Sequence, residues 1–286
     1  KYFKINSILF NIIVWKKMKV VEFIGGLGNQ LFCYAYYDFL KKKYKGENVY
    51  TFYPKSNYDH NGLEINKWFK VQMKSPFWVM ILGYLLYYGS RVLRKLRIPI
   101  PFIRENLNGK EDVLFHEGWW QDKKYVAELQ GKIDFNDFPI SNKNQEFLEL
   151  IKNSNSVCIH IRRGDYLKAL DLYGNICTEE YYIHALNLIK KQVVDPVFFV
   201  FSDDLDYSKK ILSSENAYFV DCNRGANSFF DMFLMSHCKY MILANSTFSY
   251  WAAVLNKNSI LVLCPPKWTN YQNPDIILEN WLKINV

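Results

Sequence analysis

The sequence predicts an α/β fold with parallel, doubly wound sheets. From Val157 onward, the apolar runs VCIHI (157–161), VFFVF (197–201), AYFVD (217–221), YMILA (240–244) and SILVLC (259–264) alternate with helical segments near 179–192, 206–214, 227–237 and 247–256. Short apolar strands interleaved with helices pack as a parallel sheet buried on both faces. Near the start, a strand runs directly into the glycine-rich turn GGLG (25–28) and a helix, which repeats the strand–helix–strand logic. The pattern is that of a Rossmann-like, nucleotide-binding architecture.

Taken in order, residues 1–17 combine a basic flank with a short apolar run and no small-residue cleavage site, a poor signal peptide. They are expected to be an extension upstream of a compact domain that opens with the strand MKVVEFIGG at Met18. Gly25, Gly26 and Gly28 then make a tight turn, and Asn29 is expected to cap a helix running to about Tyr44. ENVYTFYP (47–54) reads as the next strand and 65–110 as mostly helical. The boundary is expected near 150, before the polar KNSNS stretch (152–156), giving domains 18–150, with a helical insert, and 151–286.

The chain has 286 residues, 50% of them hydrophobic and 22% charged, which excludes disordered and fibrous classes and suits a soluble protein of two domains. Cys33, Cys158, Cys177, Cys222, Cys238 and Cys264 show no CxxC and read as reduced core residues of a cytosolic protein. The net charge of +8 is uneven: residues 1–150 hold 23 Lys+Arg against 15 Asp+Glu, and 151–286 hold 13 of each. No acid falls between Ile65 and Ile103, where Lys67, Lys70, Lys74, Arg91, Arg94, Lys95 and Arg97 flank the apolar run 76–89. That run is too short to span a bilayer. It suits either a helix lying on an anionic membrane surface or a buried helix with a solvated basic end. Nucleic acid is disfavoured, because the aromatic residues cluster rather than interleave with the basic ones.

Chemistry-bearing residues gather at strand ends: HIRRGDY (160–166) after the first strand of the second half, Ser202-Asp203-Asp204 after the second, Asp221 after the third and NSTFS (245–249) after the fourth. In open α/β sheets that edge is where ligands bind. A hydroxyl-rich turn opening a helix offers N–H groups and a positive dipole end to an anion, and a strand-end arginine matches phosphate oxygens. The bland alternatives are an ion pair of Arg162 or Arg163 with Asp165, and Ser246 or Thr247 as a simple N-cap. There is no P-loop, no GxGxxG, no GxSxG elbow and no HExxH spacing among five histidines. Asp204 and Asp206 have the spacing of a metal-binding acid pair but are read as the acids that open a helix.

GGLGNQLF (25–32), HNGLEI (60–65), GWWQDKKY (118–125), HIRRGDY (160–166), FSDD (201–204) and NSTFSYWAA (245–253) resemble, in order, the motifs of the inverting α-1,2-fucosyltransferases, from about Val21 to the C-terminus. Cys33 and Leu63, where members often carry Gln and Phe, are departures on the scale of packing. The resemblance implies a GT-B-type fold of two facing Rossmann-like domains, no metal or other cofactor, and a second domain that holds GDP-fucose. It implies that His160 and Arg162 contact the nucleotide, with Arg162 at the β-phosphate; that Ser202, Asp203, Asn245, Ser246, Thr247, Phe248 and Ser249 serve the donor; and that Asp231 accepts from guanine. Asp231 as a solvent-facing helix acid is the alternative. Gly26, Gly28, Asn29 and Gln30 match the first-domain loop that would close over the donor. His60, Asn61, Trp119 and Trp120 fall on the acceptor side.

Inversion needs a base for the acceptor hydroxyl. Asp165 is the named candidate and otherwise fixes the arginines; Asp171, Glu117, Asp38 and Glu64 also qualify. The expected activity is transfer of L-fucose from GDP-fucose to O2 of a galactose in a bacterial surface polysaccharide. The segment 65–103 would sit near a lipid-linked acceptor at the cytoplasmic membrane face. The rivals are a different linkage or nucleotide sugar, and a binding protein without turnover.

Overall fold

In the computed structural model the chain divides into two compact units, Lys1–Leu129 and Gln130–Val286. The structure describes residues 18–45, 48–54, 60–100, 103–105, 112–213 and 215–285, so the expected extension 1–17 lies outside the described residues.

The first unit runs β1 (Met18–Glu22), α1 (Leu27–Lys43), β2 (Asn48–Phe52), α2 (Ile65–Trp68), α3 (Phe77–Lys95), β3 (Ile103–Glu105), β4 (Phe115–Glu117) and α4 (Lys123–Ala127). Its four strands are parallel in the order β2-β1-β4-β3, with Val20 opposite Tyr50 on one side and Phe115 on the other. The stretch expected to be mostly helical therefore also supplies β3. IRE and FHE, the sequences of β3 and β4, are too short and too charged to show a strand period. α1 starts at Leu27 on Gly26 as N-cap, with no side-chain cap, so Asn29 lies inside its first turn instead of capping it. The tight turn rests on Gly25, whose φ of +69° suits glycine.

α3 is buried along one face only, so it departs from the reading of a buried helix with a solvated basic end. Val79, Gly83, Leu86, Tyr87 and Ser90 face inward, and Gly83 lies against the Phe52 ring, where a Cβ would collide. The opposite face carries Phe77, Ile81, Leu85, Tyr88 and Val92, all exposed, at helical spacing. Among the described residues no helix is long and apolar enough to cross a membrane.

The second unit runs α5 (Asn142–Lys152), β5 (Asn155–Ile161), α6 (Leu170–Tyr173), α7 (Glu179–Gln192), β6 (Pro196–Ser202), α8 (Leu205–Ile211), β7 (Ala217–Val220), α9 (Phe229–Met235), β8 (Tyr240–Ile242), α10 (Thr247–Leu255), β9 (Leu261–Cys264) and β10 (Leu282–Lys283). The division falls at Leu129 and not near 150, because α5 packs on β5 and α9. Six parallel strands lie in the order β10-β9-β8-β5-β6-β7. The chain works outward from β5 to β7, then returns to β8 on the other flank of β5. Val157, Ile159, Ile161, Phe198, Val200, Ile242 and Leu263 build the core against Tyr181, Tyr182, Ala185, Leu186 and Ile189 of α7. α7 is capped by Thr178, whose hydroxyl accepts from Tyr181 N at 3.2 Å, and carries acids in its first turn and lysines in its last. Among the cysteines Cys222 is exposed, contrary to the core reading, while Cys33, Cys158, Cys238 and Cys264 are buried and all six are free.

Candidate active site

The point where the strand order reverses, between β5 and β8, is where a doubly wound sheet opens a crevice for a ligand. HIRRGDY leaves β5 and NSTFS leaves β8, so both motifs end at that crevice. The Tyr166 hydroxyl donates to the Asn245 carbonyl at 2.9 Å and ties the two loops together.

The two arginines have different surroundings. Arg162 meets Asp165 through Nη2 at 2.8 Å and Asp203 through Nη1 at 3.1 Å, and stays about a third exposed. A guanidinium carries five N–H groups, so these contacts fix its plane while leaving donors for a phosphate. Arg163 is an anchor: its Nε meets Asp204 at 3.0 Å and its guanidinium lies 3.7 Å over the Tyr207 ring. Asp203 accepts from the backbone N–H of Arg163 and Gly164 at 2.8 and 3.1 Å as well as holding Arg162. Gly164 is required there, because a Cβ would stand 2.9 Å from an Asp203 oxygen. Ser202 accepts from Asp204 N at 2.9 Å, and Asp204 caps α8 by accepting from Tyr207 N at 3.1 Å, as its helix-opening reading expected. Ser202 and Asp203 thus shape the loop. The ion pair of Arg162 with Asp165 is real, but it stands at the open edge.

His160 is buried, and its Nδ1 has no hydrogen-bond partner. Burial, helped by Arg162, pushes its pKa down to about 3, so the ring is neutral and its free nitrogen can serve a ligand. Ser246 caps α10, accepting from Phe248 N at 3.3 Å. Thr247 and Phe248 remain partly exposed at the positive end of that helix. Ser249 and Asn245 are corrections to the donor set. The helical period turns the Ser249 hydroxyl inward onto the Ala244 and Ser246 carbonyls at 3.4 Å, and the Asn245 amide donates to Trp268 O at 3.0 Å. Asp231, in the first turn of α9, accepts from Asn223 at 2.9 Å, and Asn223 is itself paired with Asn144. Burial raises its pKa to about 7. It is not a solvent-facing helix acid.

In the first unit the reversal lies between β1 and β4, and a cavity of about 360 Å³ opens there, lined by Glu22, Gly25, His60, Arg91, Glu117 and Trp119 among others. Of the residues expected on the acceptor side, His60 and Trp119 reach it and Asn61 lies outside its lining, donating to Glu64 at 3.2 Å. Trp120 is core: fully buried, it stacks on Tyr36 with ring centroids 3.7 Å apart. Gln30 is committed to structure. Its amide donates to Gly25 O and Gly62 O and accepts from Glu64 N and Ile65 N, all within 3.1 Å. Asn29 accepts from Gln121 at 3.1 Å, and Gly28 is buried inside α1.

The candidate bases divide likewise. Asp38 is tied to Lys42 at 2.7 Å, well down α1 from the glycine turn. Glu64 is buried and outside the cavity lining, and Asp171 lies on the short α6. Asp165 is held by Arg162 and Glu117 by Arg94. Glu22 was not anticipated, although an acid closing the apolar strand MKVVE was the available signal. It is 2% exposed, and burial, reinforced by Glu117, raises its pKa to about 8.

The family model described as Glycosyl transferase family 11 matches residues 98–285, more than half of the chain. An alpha-1,2-colitosyltransferase of Escherichia coli is 33% identical over 291 residues, covering 93% of this chain and 98% of that one. The O-antigen biosynthesis glycosyltransferase WbnK of Escherichia coli is 29% identical over 304 residues, covering 91% and 98%. A galactoside alpha-(1,2)-fucosyltransferase 2 of Oryctolagus cuniculus is 24% identical over 191 residues, covering 64% of this chain and 50% of that protein.

Proposed function

The chain belongs to glycosyl transferase family 11, and from that premise we propose that it is an inverting transferase moving a 6-deoxy sugar, L-fucose or colitose, from its GDP donor to O2 of a galactose in a surface polysaccharide. The carrying observation is the convergence of Arg162, His160 and the α10 N-terminus on the strand-order reversal of the six-stranded sheet. Breaking the C1–O bond leaves negative charge on the diphosphate, and a guanidinium already fixed by two carboxylates can meet that charge without reorganising. The role of a divalent ion is thereby filled by Arg162 and the helix end, so turnover is expected in EDTA. The relatives named for colitosyl and fucosyl transfer support the α-1,2 linkage and leave two donors in play. Incubation with GDP-fucose and GDP-colitose in turn, followed by linkage analysis of the product, decides between them. A product linked other than α-1,2, or none from either donor, contradicts the proposal.

Asp231 supports guanosine as the nucleotide, since one carboxylate can accept from both guanine N1–H and N2–H. Replacement by Asn leaves one acceptor, so GDP affinity should fall about tenfold, roughly 1.4 kcal/mol, with ADP affinity unchanged. The raised pKa fixes the sign of the pH effect: the carboxyl is protonated below about 7, so GDP binding strengthens as pH rises through that value. Titration calorimetry at pH 6 and 8.5 reads both effects, and an Asn variant indistinguishable from wild type removes the role.

The exposed stripe of α3 lies beside Lys95 and Arg97, both also exposed, which supports contact with an anionic membrane where a lipid-linked acceptor would reside. Exchanging Lys95 and Arg97 for Ala together with Leu85→Ser should cut co-sedimentation with phosphatidylglycerol vesicles at least tenfold. Unchanged sedimentation contradicts the membrane contact.

A further inference from the structure

We propose that the cavity at the end of the four-stranded sheet binds a neutral sugar ring, with Trp119 against a ring face and the Glu22 carboxyl bonded to a ring hydroxyl. The inference rests on the glycosyltransferase reading only for the choice of probe.

The charges around the cavity exclude the other ligand classes. Glu22 and Glu117 both line it and disfavour an anion; Arg91 and Arg94 stand close enough to act on Glu22 and disfavour a metal cation. Most of these groups already have partners. Arg94 grips Glu117 with both of its terminal nitrogens, and Arg91 donates to Tyr87 O at 3.0 Å while its guanidinium lies 3.3 Å over the Tyr87 ring. Glu22 is different: it lines the cavity, is 2% exposed, and its carboxyl makes no hydrogen bond or close ion pair among the described residues, Arg91 and Arg94 acting on it only at longer range. A buried carboxyl without a partner is costly unless something supplies one.

Burial keeps that group protonated at neutral pH, so it can both donate and accept, which is what an alcohol hydroxyl offers in return. Trp119 is 47% exposed on the cavity wall, an apolar flat surface suited to the C–H face of a pyranose. The cavity volume, about 360 Å³, falls within the range of small-molecule sites, roughly 300–1,000 Å³.

The test is calorimetric titration of the full chain with methyl glycosides of galactose, glucose and N-acetylglucosamine. The wild type should bind at least one, more weakly above pH about 8 as Glu22 loses its proton. Glu22→Leu and Trp119→Ala should each weaken binding tenfold or more. Glu22→Gln, which keeps a donor and an acceptor, should stay within about threefold at pH 7 and lose the pH dependence. The circular dichroism spectrum and melting temperature of each variant serve as the check on folding. Absence of binding by all three glycosides at millimolar concentration, or equal affinity in the wild type, Glu22→Leu and Trp119→Ala, overturns the proposal. A wild type that binds a glycoside but not GDP leaves this site standing and removes the transferase reading instead.

Discussion

Arg162→Ala should lower kcat/KM by at least 10²–10³-fold, the range for removing one preorganised donor from developing charge, while the protein remains folded. The side chain is about a third exposed at the strand end, so its loss opens no core cavity. It does leave Asp203 and Asp165 without their cation. Asp203 still accepts from two backbone N–H groups and keeps the loop in place. Arg163→Ala is the contrasting case. It removes an anchor on Asp204 and Tyr207, so it should cost stability first and turnover through loop disorder. A variant at Arg162 that kept its rate, with a circular dichroism spectrum like wild type, would leave the diphosphate without its main counter-charge.

Gln30→Leu should destabilise the protein by roughly 3–5 kcal/mol. Two carbonyls, Gly25 and Gly62, and two N–H groups, Glu64 and Ile65, lose their partner at once, and each buried unpaired group costs about 1–3 kcal/mol before water relieves part of it. At about 2–4 °C per kcal/mol for a domain of this class, Tm should fall by roughly 10 °C. Gln30→Glu keeps the size and the two accepted bonds but cannot donate to both carbonyls, so it should lie between wild type and Leu. A Leu variant melting within about 2 °C of wild type would show that the glycine turn and the 62–65 segment hold themselves in place.

The second sheet was legible because its strands are buried on both faces. VCIHI and VFFVF read as uninterrupted apolar runs, and the spacing between runs admitted only crossover helices. The first sheet was less legible, since three-residue strands such as FHE carry no period to detect. Site residues could be found by motif, but their roles depend on partners remote in sequence. Asp203 reaches back to the β5 loop and Gln30 forward to residues 62–65. Nothing local could reveal that each holds a loop. The adjacent tryptophans show the same limit. Trp120 takes a positive φ of 52° and turns into the Tyr36 stack, leaving only Trp119 at the cavity. Glu22 was passed over because one acid at the end of an apolar strand reads as a surface residue until β4 and α3 are folded over it.

The most direct measurement of the central claim is the release of GDP from GDP-fucose and from GDP-colitose in EDTA, with and without a β-galactoside, for wild type beside Arg162→Ala. Acceptor-dependent release by the wild type from one of these donors, lost in the variant, is the predicted result. Release that requires a divalent ion, that ignores the acceptor, or that survives in Arg162→Ala would contradict the account.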